Sequence, residues 1–258
     1  RWLDFISSSY SGNTELHRAM RYALLGRGKR IRPCLVLMCN EMVGGDFSAA
    51  LLPAFAIEMI HTYSLIHDDL PSMDNDDIRR GRPTVHKEFD EATALLAGNA
   101  LLTDAFSVIC KKEIKNTIPI IKELSRACGS CGMLEGQMLD IRQTQKRLDA
   151  DGLKDIHKLK TGELIKSSCV VGGLCAISDD NILEDLSIYG GLIGHVFQIV
   201  DDLLDNSLGT GKTRGKDILQ QKNTYPSIVG EDASYALACE KTSKANKILE
   251  KYQNKFNI

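Results

Sequence analysis

The six prolines of this 258-residue chain stand at positions 33, 53, 71, 83, 119 and 226, and the intervals between them carry apolar residues at three- and four-residue spacing. That pattern reads as helix after helix. Period-two alternation bounded by hairpin turns is nearly absent, and no internal repeat, linker or low-complexity tract interrupts the chain. The expected fold is all-α: one domain spanning residues 1–258, a bundle of about ten helices. Two segments stand out. Pro53 is expected to open a helix over Ala54–Leu70 in which Phe55, Ile57, Met59, Ile60, Tyr63, Leu65 and Ile66 are apolar nearly all round, as in a buried helix. The run from Leu186 to Leu204 has the same character and contains Gly190, Gly191 and Gly194. Glycine weakens a helix, so these three point to close packing or ligand approach.

Both apolar segments end in acids. The first finishes in His67-Asp68-Asp69-Leu70-Pro71-Ser72-Met73-Asp74, followed by Asn75, Asp76 and Asp77, and the second in Asp201-Asp202-Leu203-Leu204-Asp205. In a helix Asp201 and Asp205 share a face and Asp202 lies three before Asp205, so three acids crowd one turn. At an effective dielectric near 20 each such like-charge pair costs about 3 kcal/mol, and acids at a helix C-terminus also oppose the macrodipole. One cluster alone would read as acids meeting solvent. Two, each closing an apolar helix, call for a compensating cation, and hard oxygens with room for water and phosphate suit magnesium. A glycosidase would need only two of these carboxylates.

Magnesium on carboxylates usually completes its shell with phosphate oxygens, so the chain should also carry anion-binding cations. They occur in four places: Gly26 to Pro33 with Arg27, Lys29, Arg30 and Arg32; Arg79-Arg80-Gly81-Arg82; Lys160-Thr161-Gly162; and Gly211-Lys212-Thr213-Arg214-Gly215-Lys216 with Lys222. Any one of these is an ordinary solvated surface, but basic segments beside both acid clusters fit diphosphate ligands. The Gly-Lys-Thr at 211–213 is not a P-loop, because Asn206 stands where the leading glycine belongs and a helix, not a strand, precedes it. Charge sums to −2 without a long basic run, which disfavours a nucleic-acid partner. No run of eighteen apolar residues suggests a membrane span. Cys128 and Cys131 make half a zinc site at most, and the eight cysteines read as buried helix thiols of a reducing compartment. The chain opens at Arg1 rather than Met, so a removed transit peptide is compatible with it; the expected location is the cytoplasm, or a plastid if such a peptide was lost.

Taken together, Gly28-Lys29-Arg30-Ile31-Arg32-Pro33, Glu58 to Asp69 with Asp74, Arg79-Arg80-Gly81, Leu159 to Gly162, Phe197 to Asp205 and Lys222 to Pro226 resemble the trans-isoprenyl diphosphate synthases, in particular the short-chain farnesyl and geranylgeranyl diphosphate synthases of bacterial and plastid type. The resemblance covers about Glu15 to Gly230 and implies the isoprenoid synthase fold, helices around a central cavity, and a homodimer. It implies that Asp68, Asp69, Asp74, Asp201, Asp202 and Asp205 hold three magnesium ions. Arg79, Lys160, Thr161, Gln198, Lys212 and Lys222 would contact the allylic diphosphate, with Lys160, Thr161 and Gln198 closest to the chemistry. Lys29, Arg32, His61 and Arg80 would hold isopentenyl diphosphate, and Lys216 is a weaker match to a binding lysine. The implied reaction ionises an allylic diphosphate and adds isopentenyl diphosphate head to tail.

Product length falls to the residues just before Asp68. In the family an aromatic five positions before the first aspartate resembles the floor of a farnesyl diphosphate synthase, so Tyr63, with Ser64 beside it, predicts mainly the fifteen-carbon product, with the geranylgeranyl product as the alternative. Core packing is the plain reading of Tyr63, and both hold together. A terpene cyclase shares the acid clusters but does not bind isopentenyl diphosphate. A non-catalytic partner subunit would show degenerate aspartate motifs, and both motifs here are complete.

Overall fold

Side-chain caps start several of the helices where the sequence turns from polar to apolar. In the computed structural model, which describes residues 2–111, 114–143, 149–176, 179–207 and 223–252, α1 (Trp2–Ser9) is followed by α2 (Glu15–Leu24), begun by Thr14 accepting the His17 amide at 3.2 Å. Next come α3 (Ile31–Met42) and α4 (Phe47–Asp68). A two-stranded hairpin, β1 (Ile78–Arg79) with β2 (Arg82–Pro83), and a single turn α5 (Val85–Glu88) lead to α6 (Glu91–Ile109), whose first turn is capped by Asp90 on the Thr93 amide at 2.7 Å. Then follow α7 (Thr117–Cys128), α8 (Met133–Gln143), α9 (Ala150–His157), a π-helical turn (Lys158–Gly162) and α10 (Glu163–Leu174). The last elements are α11 (Asp180–Ser207), the short α12 (Tyr225–Val229), opened by a Thr224/Ser227 capping box, and α13 (Glu231–Glu250). The all-α expectation holds.

Helix α4 is the axle. It packs against α3 on one side and α6 on the other with α10 behind, and its residues from Ala54 to Ile60 are all buried. It starts earlier than the sequence suggests: Phe47 begins it, so Pro53 lies inside the helix rather than opening it. The missing amide and ring clash cost about 3 kcal/mol. Burial of Ala50, Pro53 and Ala54 against the neighbouring helices offsets that, which a local reading of proline cannot foresee.

The main core joins α2, α3, α4, α6, α7 and α10, while a second cluster built from Leu35, Cys39, Ile165, Cys169 and Leu186 ties α3 and α10 to α11. A third, Leu153, Ile199, Tyr225 and Ala238, seats α9, α12 and α13 on α11. Only half of the thiols follow the buried expectation: Cys39, Cys128, Cys169 and Cys175 are buried, Cys34, Cys110, Cys131 and Cys239 are exposed, and all eight are free. Two helices, α4 and α6, are long and apolar enough to cross a bilayer by length and composition alone. In α4 that stretch is 67% buried in the fold and in α6 only 39%, with Leu95 and Leu96 on the open face.

Candidate active site

The C-terminal ends of α4 and α11, the α2–α3 loop, the hairpin and the π-turn converge on one cavity of about 660 Å³. Asp68 ends α4, and the chain then folds back on itself: the Asp74 amide donates to the Asp68 carbonyl at 2.9 Å and the Asp76 amide to the Asp69 carbonyl at 3.2 Å. This return, with Asn75 at φ 48°, sets Asp74 beside Asp68 on the cavity wall. Asp69 goes elsewhere. It is 3% exposed and accepts both Arg79 Nε at 2.6 and 2.8 Å and Arg79 Nη2 at 2.6 Å, and it is absent from the cavity wall. Burial raises its carboxyl to about 7 against the pull of Arg79. The expected ligand set is thus divided, with Asp69 orienting an arginine.

Arg79 and Arg80 reach the cavity because of the hairpin. Arg79 pairs with Arg82, and the two residues between them, Arg80 (φ 55°) and Gly81 (φ 77°), both take the left-handed conformations of a type I′ turn. Arg80 lines the cavity along with Arg27, Lys29, Arg30 and Arg32 from the α2–α3 loop. Arg32 Nη1 stands 3.4 Å from His61 Nε2. Burial lowers Arg32 to about 10, and burial together with Arg32, Arg80, Arg79 and Arg30 pushes His61 well below its ordinary value, so His61 is neutral.

On the facing wall α11 supplies Gln198, Asp201 and Asp202. Asp202 is 8% exposed and fixed on both oxygens: the Gln198 amide reaches Oδ1 at 3.2 Å and the Tyr225 backbone amide Oδ2 at 2.9 Å. The Tyr225 hydroxyl is paired with His195 Nε2 at 2.5 Å. Lys160 and Thr161 enter from the π-turn, where Lys160 Nζ binds Asp140 Oδ2 at 2.6 Å. Burial alone would lower this ammonium, but Asp68, Asp140 and Asp74 raise it, so it carries its charge. The turn is held by main-chain contacts: a Cβ on Gly136 would lie 2.1 Å from the Lys160 nitrogen, and one on Gly194 2.9 Å from Gly162 Cα. Close packing therefore accounts for Gly190, which faces the Lys166 backbone, and for Gly194; Gly191 meets nothing within 4 Å and is not explained by it.

Sequence reasoning missed Gln137 and Asp140. Gln137 donates to Asp68 and Asp140 holds Lys160, so α8 braces an acid from one wall and a cation from another. Their signal was a glycine in a helix, Gly136, next to two polar residues at i and i+3 on one face. Lys29, Arg32, His61, Arg80, Arg79, Lys160, Thr161, Gln198, Asp68, Asp74, Asp201 and Asp202 all line the cavity. Tyr63 is 3% exposed with its ring edge-on to His67 at 5.7 Å, and Ser64 Oγ bonds the His61 carbonyl at 2.9 Å; neither is on the cavity wall. Lys212, Lys216 and Lys222 lie outside the described residues, as does the side chain of Asp205.

The pattern of the polyprenyl synthetase family matches residues 13–257. The chain is 46% identical over 253 residues to a farnesyl diphosphate synthase of Micrococcus luteus, covering 96% of this chain and 87% of that one. It is 42% identical to geranylgeranyl pyrophosphate synthase 7 of Arabidopsis thaliana, a chloroplastic protein, over 93% of this chain and 72% of the relative. Among solved structures it resembles a geranyltransferase from Helicobacter pylori complexed with magnesium and isoprenyl diphosphate, with a TM-score of 0.86 at 30% identity, covering 99% of this chain and 90% of that one.

Proposed function

The chain belongs to the polyprenyl synthetase family and is a prenyltransferase, and from that premise we propose that its cavity joins isopentenyl diphosphate to dimethylallyl and geranyl diphosphates, giving mainly farnesyl diphosphate. One observation carries this reading: two acid-bearing helix ends and a set of arginines and lysines share a single cavity, so one diphosphate can lie between the acids while a second sits on the cations.

The donor set fits magnesium. Asp68, Asp74, Asp201 and Asp202 line one cavity with hard oxygens. Ions that take water and phosphate oxygens for the rest of their shell suit such a site. Asp68, Asp74, Asp201 and Asp202, joined by Asp205, would hold three of them, and when bound they neutralise the leaving diphosphate.

The chain's own residues do the rest. Lys160, Thr161, Gln198 and Arg79 grip the allylic diphosphate, with Lys212 and Lys222 expected to add to them, and stabilise charge building on it as the allylic C–O bond breaks. Lys29, Arg32, Arg80 and neutral His61 hold isopentenyl diphosphate with its double bond toward the allylic carbon. The new C–C bond forms, a proton leaves to the departing diphosphate, and no protein nucleophile takes part. Apolar α4 excludes water from the cation and lines the path of the growing chain.

The open face of α6, with Leu95 47% and Leu96 57% exposed, supports a homodimer, and the reading includes a cytoplasmic location. Incubation with magnesium, labelled isopentenyl diphosphate and each of dimethylallyl, geranyl and farnesyl diphosphates tests the activity. Farnesyl product from the first two starters, abolished by chelation, is expected; no product from any starter would reject it.

A further inference from the structure

The reaction gives no task to Glu58, a buried carboxylate on the cavity wall. Glu58, on α4 one turn before His61, is 1% exposed, yet it lines the cavity among guanidinium groups. It pairs with Arg30 Nη1, and the other arm of Arg30 donates to the Leu24 carbonyl at 2.9 Å and to that of Gly26. Arg30 takes a left-handed backbone, φ 52°, to turn its side chain inward. One side chain thus cinches the α2–α3 loop onto α4, with Glu58 as its anchor.

The neighbours depend on where that loop lies. Arg32 follows in the first turn of α3 and meets His61, while Gly28 packs so closely on Arg80 that a Cβ there would stand 2.9 Å from Arg80 Cζ. Burial disfavours the charges of both Arg32 and Arg80, and Glu58 supports both.

We propose that Glu58 is the positioning residue of the isopentenyl diphosphate half of the cavity, fixing the α2–α3 loop through Arg30 so that Arg32 and Arg80 are spaced to receive a diphosphate. This rests on the placement of isopentenyl diphosphate given above. The sign of the effect separates positioning from simple charge. An anion beside an anion site weakens binding through its field, so if Glu58 acted by charge alone, its removal would tighten isopentenyl diphosphate. Positioning requires the opposite.

Steady-state kinetics with magnesium and saturating geranyl diphosphate distinguish the two. Glu58→Gln and Arg30→Met should each raise KM for isopentenyl diphosphate roughly tenfold, with kcat within about threefold of the parent and KM for geranyl diphosphate unmoved. The double variant should be no worse than Arg30→Met alone, because the link from Arg30 to Glu58 is already absent there. A lower or unchanged KM in Glu58→Gln overturns the proposal, and so does a fall in kcat and melting temperature with KM constant. If Glu58→Gln fails to fold, Arg30→Met carries the test. Arg80→Ala serves as the control on placement: if it leaves KM for isopentenyl diphosphate unchanged, the location of that substrate is wrong, whereas a raised KM there with none in Glu58→Gln rejects the positioning role alone.

Discussion

Arg79 holds Asp69 with Nε 2.6 Å from one carboxylate oxygen and 2.8 Å from the other, while Asp68, its chain neighbour, lines the cavity and accepts from Gln137. Two adjacent aspartates of one motif therefore work in opposite directions. Asp68 faces where cations would sit, and Asp69 holds an arginine that lines the cavity.

Their variants should separate accordingly. Asp68→Ala, like Asp202→Ala, removes an oxygen from the metal site and is expected to lower kcat by about a thousandfold or more. Asp69→Asn leaves that site in place and loosens Arg79, so the expected result is a KM for the allylic substrate raised about tenfold and a much smaller loss of kcat. Equal losses in kcat for Asp68→Ala and Asp69→Asn in steady-state assays would refute the division.

Glycines of similar appearance should respond differently to alanine. A Cβ on Gly136 would stand 2.1 Å from the Lys160 nitrogen, and main chain cannot step aside as a side-chain tip does. Gly136→Ala is expected to destabilise the protein by about 1–3 kcal/mol and to depress turnover by displacing Lys160. Gly191 is exposed with nothing within 4 Å, so Gly191→Ala should stabilise α11 by about 0.5–1 kcal/mol. Thermal melts of the two variants check the contrast, and a rise in melting temperature for both would contradict it.

Replacing Tyr63 should lengthen the product. The ring is buried in α4 one turn from the cavity edge, and its hydroxyl has no hydrogen-bond partner among the described residues, so shortening it deletes volume without breaking a polar contact. Tyr63→Ala costs about 3–5 kcal/mol as a cavity mutation, which makes Tyr63→Met the safer variant. Chromatography of the prenyl products is expected to show chains beyond fifteen carbons. An unchanged product from both variants would leave Tyr63 as core packing only.

Acid should weaken the fold through His157. Burial pushes this imidazole down to about 4, with its Nδ1 lacking a hydrogen-bond partner. The unfolded chain binds its proton near pH 6.5, the folded one only near 4, so across that window the unfolded state holds more protons and stability rises with pH. The contribution is complete above about pH 6.5 and falls by about 3 kcal/mol on descending to pH 4. In His157→Phe, whose ring can keep the contact with Tyr225 at 5.6 Å, denaturation midpoints should depend less steeply on pH over that range. A slope identical to that of the parent protein would exclude His157 as its source.

Most of the site was legible because its residues sit in short contiguous runs, where charge type and helical spacing speak directly. Asp68 with Asp74, Asp201 with Asp202, and Lys160 with Thr161 needed only the expectation that apolar helix ends meet at one place. Three features escaped for reasons of distance along the chain. Gln137 and Asp140 matter only because α8 crosses the π-turn. Asp69 looks identical to Asp68 until the hairpin delivers Arg79 to it. Pro53 reads as a helix start until the fold buries Ala50, Pro53 and Ala54 together. The four exposed cysteines have the same origin, since an apolar segment around a thiol does not say which way the thiol faces.

The contact of Gly162 with Gly194 bears on how much change this protein can absorb. Because the turn carrying Lys160 and the helix carrying Asp201 and Asp202 touch through main-chain atoms, their separation is inherited from backbone dimensions and not from the rotamers of any side chain. Side chains elsewhere along α11 can be exchanged or repacked without altering the gauge between the two halves of the site. Tolerance of that kind ends at position 194, where a single methyl group would stand 2.9 Å from the Gly162 Cα and change the gauge itself.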